Sequence, residues 1–174
     1  DGTELSAEDF VFVDSKDYAD VAEDINDMTA SEIKGVIAEN PYTLGLSEED
    51  LEDINVSELA AVIENTLNDT EFSADDRDAS WAIIDKALYV QRLNDGLIDD
   101  VLAVDDSLTG ISKSVVADYI DDEYVTEDLE KNFTERLNKA SFESYSDYED
   151  SILEAFVLAT VQYPNGSANV ETIL

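Results

Sequence analysis

Ile25-Asn26-Asp27 returns as Leu93-Asn94-Asp95, Val36-Ile37 as Val101-Leu102, and Leu44-Gly45-Leu46-Ser47 as Leu108-Thr109-Gly110-Ile111-Ser112. Leu59, Ile63, Leu67, Asn68 and Phe72 then recur as Leu129, Phe133, Leu137, Asn138 and Phe142, each 70 positions on, whereas the earlier landmarks are offset by 64 to 68. The change of offset places a small net insertion in the second copy between Ser112 and Leu129. Two degenerate copies of one helical unit, from about Tyr18 to about Tyr163, constrain the fold more than any other feature of the chain. Arrayed helical modules bury their apolar faces against their neighbours and build surfaces rather than reaction sites.

Apolar residues within each copy fall at three and four spacings, and helix-start signals divide them. Asp14 to Asp17 opens a segment with Tyr18, Val21, Ala22 and Ile25 on one face. Thr29-x-x-Glu32 is a capping box before Ile33, Val36 and Ile37, and Asn40-Pro41 ends that helix because a residue before proline avoids the α region. Ser47-x-x-Asp50 starts a short helix through Leu51 and Ile54; Asn55-x-x-Glu58 caps another with Leu59, Val62, Ile63, Thr66 and Leu67 on its face. Ser73 heads a long helix carrying Trp81, Ile84 and Leu88, with Ile83, Ala87 and Val90 on a second row. The second copy repeats the plan over Leu97–Val104, Lys113–Ile120, Thr126–Leu137 and Ser146–Gln162, and Tyr163-Pro164-Asn165-Gly166 is a strong stop.

The expected fold is all-α, with roughly seven to nine helices in two pseudo-repeated units, residues 18–95 and 96–163. Residues 1–17 and 164–174 are extensions; Phe10 to Val13 and Val170 to Leu174 carry β-branched or aromatic runs and read as short terminal strands.

Charge limits the partners. Asp and Glu number 44 against 9 Lys and Arg, a net charge of −35, and 44% hydrophobic content still supplies a globular core. Many of these charges lie within a Debye length of about 10 Å at 0.1 M salt and oppose compaction. Nucleic acid and anionic membrane surfaces both require Lys and Arg to neutralise phosphate, so direct contact with either is disfavoured. No apolar run approaches the roughly 20 residues that span a bilayer. A high-salt habitat would account for the acidity, but Lys outnumbers Arg six to three and Ile and Asn are plentiful, which reads as a low-GC source. A calcium-containing exterior, where cations screen carboxylates loosely, accounts for it better. Mimicry of nucleic acid is the third account, yet acids occupy nearly every polar position from Asp1 to Glu171 instead of lining one face.

Chemistry-bearing constellations are few. Histidine and cysteine are both absent, which removes the usual general base, the Ser-His-Asp arrangement, thiol nucleophiles and His or Cys metal sites. Acid pairs such as Asp75-Asp76, Asp99-Asp100 and Asp121-Asp122-Glu123 have the oxygen chemistry of calcium ligands, but they are expected on a solvated face when one residue in four is acidic. The nearest approach to an EF-hand loop begins at Asp105 and fails at its twelfth position, Val116. The serines sit mostly at helix starts, where capping explains them, and the six glycines form no phosphate loop. No catalytic, cofactor or metal residue is assigned. Trp81, Phe72, Phe133, Phe142 and Phe156 lie on apolar rows and read as core. Tyr145 and Tyr148 flank a cap in the acidic stretch Glu143 to Asp150 and are the candidate interface residues, set against a packed pair where a helix begins. Arg77, Arg92 and Arg136 are read as offsetting nearby acids, the last two lying across core leucines.

The order Ile-Asn-Asp, amphipathic helix, Leu-Gly-Leu-Ser, a helix ending Leu67-Asn68, then Phe72 and a long helix resembles the small all-helical tandem modules of Gram-positive bacterial surface and S-layer-associated proteins. That resemblance covers about residues 18 to 162 and implies a non-catalytic spacer between adhesive or wall-binding domains. The chain departs from those modules in its acidity and its lack of alanine richness. It starts at Asp1 without methionine, from which removal of a leader or propeptide, or excision from a longer chain, is expected. The expected function is a non-enzymatic structural module of an extracellular assembly, on a virion or a cell surface, packed against protein neighbours. The alternative is an acidic decoy that fills a basic nucleic-acid-binding groove.

Overall fold

The structure is a computed structural model that describes residues 15–111 and 127–162. These residues are helical with short connections, contain no strand, and form seven α-helices interspersed with single turns of 3-10 helix. The expected terminal strands and the helix Lys113–Ile120 lie outside the described residues. The chain divides into two compact units, Asp1–Leu88 and Tyr89–Leu174. The sequence pattern draws its boundary after Asp95; the division falls earlier, within a helix, because Tyr89, Val90 and Leu93 are core residues of the second unit.

In the first unit, α1 (Ser15–Asp24) leads into a 3-10 turn, Ile25–Asp27, and buries Tyr18, Ala22 and Ile25 at three and four spacings. Helix α2 (Ala30–Glu39) starts at the Thr29 capping box: Thr29 N–H donates to Glu32 Oε2 at 2.8 Å, and Glu32 N–H donates to Thr29 Oγ1 at 3.4 Å. The bond from the Thr29 backbone, then that from its hydroxyl, holds the Glu32 carboxyl below its ordinary value. Glu64 of the next helix accepts from Ala30 N–H at 3.0 Å, placing a second carboxylate at the positive end of α2. A 3-10 turn, Pro41–Leu44, ends at Gly45, whose φ of 73° suits a residue without Cβ.

Ser47 and Asp50 form the reciprocal cap that the sequence predicts, with Ser47 N–H on Asp50 Oδ2 at 2.9 Å and Asp50 N–H on Ser47 Oγ at 3.1 Å. Only one 3-10 turn follows, Glu49–Leu51, and not a helix through Ile54, since Asp53 takes φ 62° and breaks the right-handed path. Helix α3 (Val56–Thr66) is capped by Asn55, whose Oδ1 accepts from Ser57 and Glu58 N–H. It packs on α2, bringing Leu59 and Ile63 together with Ile33 and Ile37 in the core. Each such side chain, fully buried, contributes about 1.5–3 kcal/mol.

Helix α4 spans Arg77–Asn94. It begins later than Ser73, whose N–H donates to Ser80 Oγ at 2.7 Å; Asp76 Oδ1 accepts Ala79 N–H at 3.0 Å where the helix starts. The predicted helix Leu97–Val104 shrinks to one 3-10 turn, Val101–Ala103. There Val101 N–H donates to Thr134 Oγ1 at 3.0 Å and Leu102 N–H to Asp100 Oδ1, so these donors leave the helical ladder. Helix α5 (Asp106–Thr109) is capped by Asp105 and ends at Gly110, φ 67°. Helices α6 (Glu127–Lys139) and α7 (Tyr145–Gln162) pack together, with the Phe133 and Phe156 rings edge to face at 5.5 Å.

Candidate interaction surface

Each unit is organised around one phenylalanine held by one asparagine. Asn26 donates from Nδ2 to Phe72 O at 2.8 Å and accepts Phe72 N–H on Oδ1 at 2.9 Å. In the second unit Asn94 donates to Phe142 O at 2.9 Å and accepts Phe142 N–H at 2.8 Å. The residues involved are the landmarks that recur in the sequence. Both amides satisfy a non-helical backbone step that would otherwise be left unpaired beside the core.

Aromatic tips secure the glycine corners. Trp81 Nε1–H donates to Thr43 O at 3.1 Å, two residues before Gly45, and its indole carries the Arg77 guanidinium 5.0 Å from the ring centroid. Arg77 therefore stacks on an aromatic face as well as adding charge. In the second unit Tyr145 OH donates to Leu108 O at 2.7 Å and Tyr148 OH to Thr109 O at 2.6 Å, just ahead of Gly110. Tyr89 OH donates to Tyr148 OH at 3.0 Å, with the rings edge to face at 5.2 Å.

This arrangement corrects the reading of Tyr145 and Tyr148 as an interface pair. Tyr148 is 0% exposed and Tyr145 6%. Their hydroxyls are turned inward onto carbonyls that only the folded chain supplies, so they are the packed pair at the start of α7. Burial raises the Tyr148 and Tyr89 phenols above the ordinary tyrosine value. Burial, and then the nearby Glu149 carboxylate, pushes Tyr145 up to about 12.

Two hollows of the described surface are of note. A cleft of about 280 Å³ beside α1 and α2 is lined by Asp17, Asp20 and Glu39, with Val21 and Val36 between them. Among the described residues no group of three or more acids is close enough to hold a metal ion. Asp105, where the EF-hand pattern begins, instead caps α5; the Ser107 hydroxyl and then its backbone N–H hold the Asp105 carboxyl below its ordinary value.

The larger hollow, about 470 Å³, is a groove along α6 and α7. Leu137, Ala140, Phe142, Ala155 and Leu158 provide apolar lining, while Arg136, Lys139, Asp147 and Glu154 add charge. Its polar groups are engaged in local structure: Ser151 Oγ donates to Asp147 O at 3.1 Å, Asp147 Oδ2 accepts Glu143 N–H at 2.9 Å, and Arg136 Nε donates to Asn132 Oδ1 at 2.8 Å. Leu158 stands 46% exposed beside it, and Leu153 on the same helix is 48% exposed. The sequence reading missed this groove; its one signal is the pair Arg136 and Lys139, a local concentration of scarce cations.

No described helix is long and apolar enough to cross a membrane. Comparison of the chain with family models, with curated proteins and with solved structures found no match.

Proposed function

We propose that the chain is a non-enzymatic structural module of an extracellular assembly, a virion component or a cell-surface spacer, that packs its helical faces against protein neighbours. The observation carrying this reading is the Asn-to-Phe clamp made with the same atoms in both units, at 2.8 to 2.9 Å in each bond. A clamp repeated on duplicated landmarks supports two copies of one module, and duplicated modules extend surface without adding chemistry. The engaged polar groups of the larger groove agree, because neither Ser151 nor Asp147 is poised as a nucleophile with its base. The acidic exterior fits a module that is kept soluble by charge and approached only where charge is relieved.

The test is to identify the encoded precursor and then fractionate the native source with an antibody to this chain. Recovery in the virion or cell-envelope fraction, in a complex that survives 1 M NaCl, is expected. Recovery from the cytoplasm on a basic nucleic-acid-binding protein, released as salt rises, would instead establish the decoy.

A further inference from the structure

Asparagine followed two residues later by serine or threonine, with any residue but proline between, is the acceptor pattern for an N-linked glycan. It occurs four times in the chain: Asn55-Val56-Ser57, Asn68-Asp69-Thr70, Asn132-Phe133-Thr134 and Asn165-Gly166-Ser167. Asn165 lies outside the described residues. For the other three, whatever the moment of transfer, the folded chain must hold the sugar in solvent, and the fold therefore decides between them.

Asn132 is 9% exposed and Thr134 3%. Asn132 Oδ1 accepts from Arg136 Nε at 2.8 Å and Thr134 Oγ1 from Val101 N–H at 3.0 Å, so this triplet belongs to the core of its unit. Asn55 is exposed, but its Oδ1 caps α3 through the Ser57 and Glu58 N–H groups, and Ser57 lies within that helix. Asn68, Asp69 and Thr70 are all exposed, on the turn that follows α3. There the backbone alone is fastened, Asn68 N–H on Asn65 O at 3.2 Å and Asp69 N–H on Thr66 O at 3.1 Å. Among the described residues nothing bonds the Asn68 amide group or the Thr70 hydroxyl. The duplicated landmark supplies a comparison. Asn138, 70 positions on from Asn68, donates from Nδ2 to Ile98 O at 2.6 Å and is followed by Lys139-Ala140, so the copy whose amide is structural lacks the acceptor pattern.

We propose that Asn68 carries an N-linked glycan, an inference that rests on the extracellular reading above. The donor class is a lipid-linked diphospho-sugar. Asn68 Nδ2 attacks the anomeric carbon of that sugar, and the new N–C bond forms as the bond from the carbon to the diphosphate oxygen breaks. The lipid diphosphate leaves with the electron pair, and one amide proton passes to a base of the transferase. A glycan is bulky and solubilising and stays at the surface, so it marks the turn after α3 as a face turned away from the protein neighbours.

Peptide mapping of the native chain, isolated from its source, tests the proposal. Cleavage after glutamate separates residues 65–71, with Asn68 as their acceptor, from residues 53–58, with Asn55. Expected is a 65–71 peptide that carries sugar mass and that, released by a glycan-cleaving amidase in heavy-oxygen water, is left with a labelled aspartate at the acceptor position. Thr70→Ala made in the same source should lose the glycan entirely while its helical circular dichroism and thermal midpoint stay unchanged, as an exposed side chain without a bond requires. A 65–71 peptide at its unmodified mass overturns the proposal. So does sugar on Asn55 or Asn132 with Asn68 bare, or a Thr70→Ala chain still modified at Asn68. A bare chain found in an envelope or virion complex sinks the glycan and leaves the assembly reading standing; a bare chain recovered on a basic cytoplasmic partner sinks both.

Discussion

Asn26 holds Phe72 by both ends of its side-chain amide, across 46 residues of chain, with Nδ2 on the Phe72 carbonyl at 2.8 Å and Oδ1 on the Phe72 N–H at 2.9 Å. Asn94 holds Phe142 across 48 residues in the same way. Each clamp fixes the strand of backbone leading into the long helix against the end of the helix that opens its unit. The ring of Phe72 then packs on Tyr18 at 5.6 Å, and that of Phe142 on Tyr148 at 5.5 Å.

Removing a clamp should destabilise its unit. Asn26→Ala leaves the Phe72 N–H and C=O without partners beside the core, a loss of about 1–3 kcal/mol, and Asn94→Ala is expected to cost as much. Asn→Asp at either position keeps an acceptor for the N–H but cannot donate to the carbonyl, so it should destabilise too. The two clamps share no partner, and their losses should add in the double variant. Urea unfolding followed by circular dichroism gives the midpoints; a silent Asn94→Ala would show that the clamp contributes nothing.

Gly45 and Gly110, two of the three left-handed glycines among the described residues, differ in their surroundings. An alanine Cβ at Gly45 would lie 2.8 Å from Trp81 Cγ and Cδ2, whereas at Gly110 the nearest atom is Tyr145 Oη at 3.9 Å. Gly110→Ala should therefore cost only the backbone strain of positive φ, about 1–2 kcal/mol. Gly45→Ala adds displacement of the indole from Thr43 O and should cost about 2–4 kcal/mol in all. Trp81 is the single tryptophan, so its emission should shift in Gly45→Ala and not in Gly110→Ala. Equal losses with unchanged emission would refute the close packing at Gly45.

What was legible in the sequence was what neighbours along the chain decide. The Thr29 box, the Asn55 cap, the break at Pro41 and the apolar face of α3 all depend on residues within a turn or two, and the structure places them as the pattern predicts. Asp53 at φ 62° was not legible, because its neighbours promise a continuing helix. Nor was the burial of Tyr148, whose hydroxyl is satisfied by Thr109 O, 39 residues away. In an acidic stretch an interface tyrosine and a packed one read alike until the distant carbonyl that receives the hydroxyl is known. The groove beside Leu158 escaped for the same reason, since it needs α6 and α7 side by side before any of its residues share a wall.

Salt should stabilise the fold. The 44 acids face 9 cations, and their mutual repulsion is greater in the compact state than in the expanded unfolded chain. Raising NaCl from 10 mM to 0.5 M shortens the Debye length from about 30 Å to about 4–5 Å and should raise the thermal midpoint by about 5 °C or more. Magnesium and calcium chlorides matched for ionic strength should act alike if the cations only screen. A large shift from submillimolar calcium alone would reveal a specific site instead.

Alkali should unfold the second unit through its tyrosines. Burial raises the phenols of Tyr89, Tyr145 and Tyr148, the second of them to about 12, against about 10 in an unfolded chain. A raised folded value means that the unfolded chain releases these protons first. The fold's preference for neutral phenols is without penalty below pH ~10 and stability is lost progressively as pH climbs from there through the folded value of Tyr145. Ionising Tyr148 also removes its donation to Thr109 O and places charge beside the Tyr89 hydroxyl. Titration at high salt, recording tyrosinate absorbance and helical dichroism together, should show these three phenols ionising in the same step as helix is lost. Tyr148→Phe, which keeps the ring but leaves Thr109 O without this donor, should unfold at lower urea concentration at neutral pH. If all the tyrosinate signal instead developed near pH 10 with helix content unchanged, the buried cluster at the start of α7 would be wrong.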